Sequence, residues 1–138
     1  MIKAKLAVCG EKTIRDAISN KISVVNIIES IKSPGFPLFV PELACLFITE
    51  RSQKDPESIE CFIRFSLDKK ELNIVPGKIS YTDKILNRFI LVMNGLLIPK
   101  PGMLRVSLFS KENNKEIAFW KIAIKKIGEL AKKEQSQI

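Results

Sequence analysis

An antiparallel β-sandwich of about eight short strands is the fold class that this 138-residue chain predicts, on three observations. Apolar and polar residues alternate with a period of two in several separate segments, as half-buried strands require. Proline, glycine, asparagine and charged clusters divide those segments at the short intervals expected of antiparallel structures. No alternation of helical with strand patterns is present, which argues against a parallel α/β architecture.

The first strand is expected near 3–9, where Lys3, Ala4, Lys5 and Leu6 lead into Ala7-Val8-Cys9. Glu11 and Lys12 interrupt it before the core of a signal peptide is complete. Residues 12–20 are ambiguous: Ile14, Ala17 and Ile18 would share one helical face, so a short helix or an ordered loop is expected there. Strands follow near 22–32 and 39–50. The clearest is Ile59 to Asp68, where Ile59, Cys61, Ile63, Phe65 and Leu67 fall on one face, and Glu60, Phe62, Arg64, Ser66 and Asp68 fall on the other. Further strands are expected near 72–80 and 85–93. In the last two, Leu104, Val106 and Leu108 alternate with Arg105, Ser107 and Phe109, and Ala118, Trp120, Ile122 and Ile124 alternate with Phe119, Lys121, Ala123 and Lys125. Lys111-Glu112-Asn113-Asn114-Lys115 between them suits a hairpin tip, since asparagine tolerates left-handed backbone and the charges favour water.

Asn94-Gly95, within Phe89 to Gly102, offers the positive φ of a tight turn or bulge, and Pro99 and Pro101 remove amide donors where a strand ends. The flanking strands are therefore expected to fold back on each other there. Residues 1–127 form one expected domain, and 128–138 a polar, frayed tail with too little apolar surface to offset its ordering entropy.

Cys9, Cys45 and Cys61 are odd in number, widely spaced and set among apolar residues, the pattern of free thiols in a reducing compartment, so a cytoplasmic protein is expected. Cys45 and Cys61 read as core residues, and Cys9, beside Gly10 at a strand end, as the more accessible thiol. No apolar run approaches the roughly 20 residues of a membrane span. The formal charge is +8, but the basic residues are 18 Lys against 5 Arg beside 20 Ile, a bias that an AT-rich genome produces through its codons.

The order of several motifs resembles a family of small uncharacterised bacterial proteins, a domain of unknown function expected to form a β-sandwich. The motifs are Ala7-Val8-Cys9, the segment Asn20 to Ile31, Pro34-Gly35-Phe36-Pro37, and Leu91 to Gly102. The chain departs from the family's pattern in lacking an acidic residue straight after Cys9 and a glycine straight after Asn20. The resemblance implies the fold and brings no catalytic residues with it.

Absence of histidine removes the commonest general base near neutral pH and the usual partner of a serine or cysteine nucleophile. The carboxylates Asp55 and Glu57, or Asp68 and Glu71, lie in polar loops without the dense spacing of a calcium site, and the glycines form no phosphate loop. No catalytic residue, cofactor or metal site is therefore assigned. Lys3, Lys5, Lys121, Lys125 and Lys126, with the Lys132-Lys133 pair in the tail, form the best basic constellation for an anion if the terminal strands lie close together. Phe109 and Phe119, on the faces opposite the core, are the candidate protein contacts. The expected function is non-enzymatic, a protein-interaction or assembly module with an unknown protein partner or as a homo-oligomer. Binding of nucleic acid or another polyanion through the lysines is the alternative, and an enzyme with an unrecognised site is the third class.

Overall fold

A computed structural model describes residues 1–82 and 84–128, so the expected tail beyond Gly128 lies outside the described residues. Its strands are β1 (Lys3–Arg15), β2 (Ile22–Ile27), β3 (Ser30–Ser33), β4 (Leu38–Glu50), β5 (Ser58–Leu67), β6 (Lys70–Ser80), β7 (Leu86–Ile98), β8 (Gly102–Ser110) and β9 (Lys115–Lys126). They form a four-stranded sheet, β2-β1-β4-β7, and a five-stranded sheet, β3-β9-β8-β5-β6. Every pairing is antiparallel except β3 with β9, and the arrangement is the expected sandwich rather than a closed barrel.

The period-two faces meet between the sheets. Cys61, Ile63, Phe65 and Leu67 of β5, with Leu104, Val106 and Leu108 of β8 and Ala118, Ile122 and Ile124 of β9, pack in one core with Cys9, Leu43, Cys45 and Phe47 from the other sheet. Thr49 and Tyr81 bring hydroxyls into this core and satisfy each other across 2.8 Å. The β8–β9 hairpin turns at residues 111–114 as expected, with Asn114 at φ 53°.

Among the described residues nine strands form rather than eight, because the segment expected as one strand over 22–32 is divided. Asn26 takes φ 53°, and the chain steps from the four-stranded sheet at β2 to the five-stranded sheet at β3. That step is pinned at three points. The Ile28 amide donates to the Cys9 carbonyl, the Ala123 amide donates to the Glu29 carbonyl, and the Trp120 indole N–H donates to the Ile28 carbonyl at 2.8 Å. A half-buried tryptophan thus keeps its polar atom partnered at the corner.

Of the two conformations expected near 12–20, a short helix or an ordered loop, the helix is not formed. β1 continues to Arg15, where Thr13, Ile14 and Arg15 pair with Val24, Ser23 and Ile22, and the turn beyond it is organised by Asp16. The Asp16 carboxylate accepts the Ile18 and Ser19 amides at 2.8 and 3.0 Å, which hold its pKa below the usual carboxylate range, the Ser19 amide contributing most. A neighbouring strand supplied an alternative set of hydrogen bonds, and short-range helical spacing did not outweigh it.

The β1–β2 hairpin bends across the outer side of its own sheet. A side chain at Gly10 would meet Val24 Cγ1 at 2.5 Å and the Val25 carbonyl at 2.8 Å, so only glycine admits this approach. Val8, Ala44 and Leu46 are buried on the side of the sheet turned away from the main core, and Arg88 of β7 donates to the Asn20 carbonyl at the hairpin tip.

The strands on either side of Asn94-Gly95 do not fold back on each other. β7 runs through both residues while paired with β4, and Val40↔Leu96 and Glu42↔Asn94 lie in one continuous register. Gly95, at φ +85°, stands opposite Pro41, which has no amide to give the ladder. There both strands change phase: Leu43 and Met93 face inward on one side, Val40 and Leu96 on the other. The reversal of direction comes after Ile98, at Pro99–Pro101, and delivers β8 into the opposite sheet.

Candidate functional site

The outward face of the five-stranded sheet collects the side chains that alternation placed opposite the core. Direct partners across antiparallel strands share a face, so the registers define rows on it. Phe62 of β5 stands beside Phe109 of β8, Arg64 beside Ser107 and then Phe119 of β9, and Ser66 beside Arg105 and then Lys121. The Phe62 and Phe109 rings are stacked, their centroids 5.1 Å apart and their planes 4° from parallel.

Arg105 organises the neighbouring rows. Its guanidinium lies 3.8 Å from the centre of the Phe119 ring and ends in an ion pair with Glu116. Phe119 remains 46% exposed beneath it, with the Lys121 ammonium 5.7 Å from the centre of the ring. Arg64 lies 3.4 Å from Glu71 of β6, and its Nε is enclosed without a hydrogen-bond partner. Between these groups is a shallow depression of about 240 Å³, with Ser66 and Ser107 buried in its lining among Arg64, Lys69, Arg105 and Glu116. Arginine stacked on an aromatic ring presents a planar, weakly hydrated cation already held in one orientation.

Of the candidate residues, Phe109, Phe119 and Lys121 come together on this face, and Lys125 continues it along β9, where Lys32 of β3 pairs beside it. Lys3 and Lys5 do not join them. Both lie at the start of β1 in the other sheet, and Lys5 is engaged with Glu50 at 2.8 Å. Lys126 is exposed at the end of β9, paired with Ser33. The five lysines are thus divided between two sheets. Arg64, Arg105 and Phe62 were not singled out as site residues from the sequence, although their places opposite the core-facing residues of β5 and β8 were the signal that could have found them.

Cys9 is fully buried, contrary to the expectation of an accessible thiol. It stands opposite Cys45 with 3.5 Å between sulfurs, and the hydrogen bond to Cys45, followed by burial, raises its pKa far above the ordinary thiol value. Burial also pushes Cys61 up to about 11. A raised pKa suppresses the thiolate, which is the nucleophilic form.

Elsewhere, an open cleft of about 710 Å³ separates the β1–β2 hairpin from the β6–β7 connection, with Arg15, Ile48, Lys84, Arg88 and Ile90 among its lining. Among the described residues, no group of three or more Cys, Asp or Glu side chains is placed to hold a metal ion, and no helix is long and apolar enough to cross a membrane. No protein-family model matches the chain, and no curated protein matches it.

Proposed function

We propose that the chain is a non-enzymatic protein-interaction module whose contact surface is the outward face of the five-stranded sheet. The observation that carries this reading is Arg105 clamped between Phe119 and Glu116 beside the Phe62–Phe109 stack. Arginine and aromatic side chains dominate the energetics of protein interfaces, and pre-ordered ones lose less entropy on binding. Basic groups around the face favour a partner with an acidic rim.

Crosslinking the protein to its neighbours in native lysate, followed by capture, tests the reading. One stoichiometric partner is expected from the unaltered protein, with recovery reduced at least tenfold for Phe119→Ala/Arg105→Ala of unchanged fold. Recovery of the same partner by both proteins, or of none by either, counts against it.

Polyanion binding is the second reading, favoured by Lys32, Lys121 and Lys125 lying on the same face as the exposed Phe119 ring. Bases can stack on aromatic rings while lysines neutralise phosphates. A single-stranded oligonucleotide would then bind with an affinity that falls steeply with salt. No binding at low ionic strength removes this alternative.

A further inference from the structure

We propose that the cleft between the β1–β2 hairpin and the β6–β7 connection binds an anionic amphiphile, a single aliphatic chain that ends in a phosphate or a carboxylate. This goes beyond the reading above and uses a different surface, so either can fail alone.

The charge of the cleft selects one end of the ligand. Arg15, Lys84 and Arg88 line it, and among the described residues no carboxylate lines it with them or forms an ion pair with any of the three. Cations elsewhere on the surface are compensated: Lys5, Arg51, Arg64, Arg105 and Lys111 each lie beside a glutamate. Three basic side chains around one concave space attract an anion and hold it there.

The neighbours of those cations select the other end. Ile22 stands directly opposite Arg15, and Ile48 directly opposite Arg88, and cross-strand partners share a face. Leu86 and Ile90 flank Arg88 on the same side of β7, 52% and 40% exposed. All four aliphatic residues line the cleft. An aliphatic chain can cover them while its charged end stays with the guanidinium or ammonium alongside. Tyr81 is the single aromatic residue of the described lining and is buried, so a base has no ring face to stack on and a nucleotide is the poorer fit.

Both walls are fixed by their own hydrogen bonds. Arg88 donates to the Asn20 carbonyl at the hairpin tip and keeps further N–H donors for a ligand. On the opposite wall, the Arg51 amide donates to the Ile85 carbonyl and Arg51 Nε to the Lys84 carbonyl, both at 2.9 Å, and Asn87 Nδ2 donates to the Ser80 carbonyl at 2.7 Å. Walls held in place lose less entropy on binding. The volume of about 710 Å³ falls within the roughly 300–1,000 Å³ of small-molecule sites.

Isothermal titration calorimetry of the full chain with dodecyl phosphate and with dodecanoate, each below its micelle-forming concentration, tests the site. One-to-one binding of at least one probe is expected, and the stronger of the two identifies the head group. The octyl phosphate or octanoate counterpart should bind roughly tenfold more weakly, because each buried methylene adds affinity. Dodecyl maltoside, with the same chain and no charge, should also bind roughly tenfold more weakly, as should the charged probe to Arg15→Gln/Lys84→Gln. Lys111→Gln/Lys115→Gln removes the same charge at the β8–β9 turn and should leave affinity unchanged. Failure of both probes to bind overturns the proposal. So does equal affinity for dodecyl maltoside or for inorganic phosphate, or binding undiminished in Arg15→Gln/Lys84→Gln. If that variant fails to fold by circular dichroism, hydrogen exchange on the unaltered protein with dodecyl phosphate and dodecanoate decides. Slower exchange of amides within residues 84–90 with either probe supports the site, and unchanged exchange with both overturns it.

Discussion

Cys9 and Cys45 show how far burial controls the chemistry of single residues. Directly opposed on neighbouring strands, both are inaccessible to solvent, and the hydrogen bond between their sulfurs helps to keep Cys9 protonated. Cys61 is similarly enclosed. The native protein should therefore react with a thiol reagent at neutral pH far more slowly than the unfolded chain, and full titration should require denaturant. Stability carries the same signature. The Cys61 thiol ionises near 9 in the unfolded chain but only near 11 when folded, so between those values the unfolded state binds fewer protons. Its contribution is fully present below pH 9 and is lost as pH rises through about 11. Denaturant midpoints should fall across that window, and a smaller fall is expected in Cys61→Ala at matched pH.

At the scale of elements, the phase change in β4 and β7 is the most demanding local feature. Pro41 and Gly95 meet where both strands exchange their inward and outward faces, and Gly95 has to adopt φ +85° to permit it. A side chain there would also approach the Phe39 ring to 3.2 Å. Gly95→Val should destabilise the fold by about 1–3 kcal/mol, because a β-branched residue is strained at positive φ. Lys121→Ala, on the solvent side of β9, should stay within about 0.5 kcal/mol. Urea unfolding of both variants checks the difference. The sequence made Gly95 conspicuous as a residue for positive φ. It did not reveal the partner: whether such a glycine turns a hairpin or re-phases a long strand depends on the strand beside it, here β4 with Pro41 at the same level.

Over the whole molecule, basic side chains gather on the outward face of the five-stranded sheet. Arg64, Lys69 and Arg105 line the depression beside Phe109, Arg105 and Lys121 flank the Phe119 ring, and Lys125 lies farther along β9 on the same face. Raising ionic strength should release any polyanion from the lysine face. Oligonucleotide-binding measurements over a salt series check this outcome.

Strand class, the inward residues of β5, β8 and β9, and the β8–β9 hairpin were legible in the amino-acid order because side-chain alternation is a local property of extended backbone. So was the outward position of Phe109 and Phe119. Sheet membership was not, because several apolar strands can satisfy the same ladder and only their joint packing selects one pairing. The segment 22–32 shows this: its continuous apolar pattern suits one strand, yet Ile28 and Glu29 carry it between sheets through contacts with Cys9, Ala123 and Trp120, all distant in the chain. The candidate site was decided in the same way, since Arg105 meets Phe119 and Glu116 only after β8 and β9 take their register, and Lys3 and Lys5 leave the lysine group because β1 joins the other sheet. Alternation determined which side of a strand faces water; tertiary pairing decided which exposed side chains share a surface, because that depends on neighbours that no local pattern specifies.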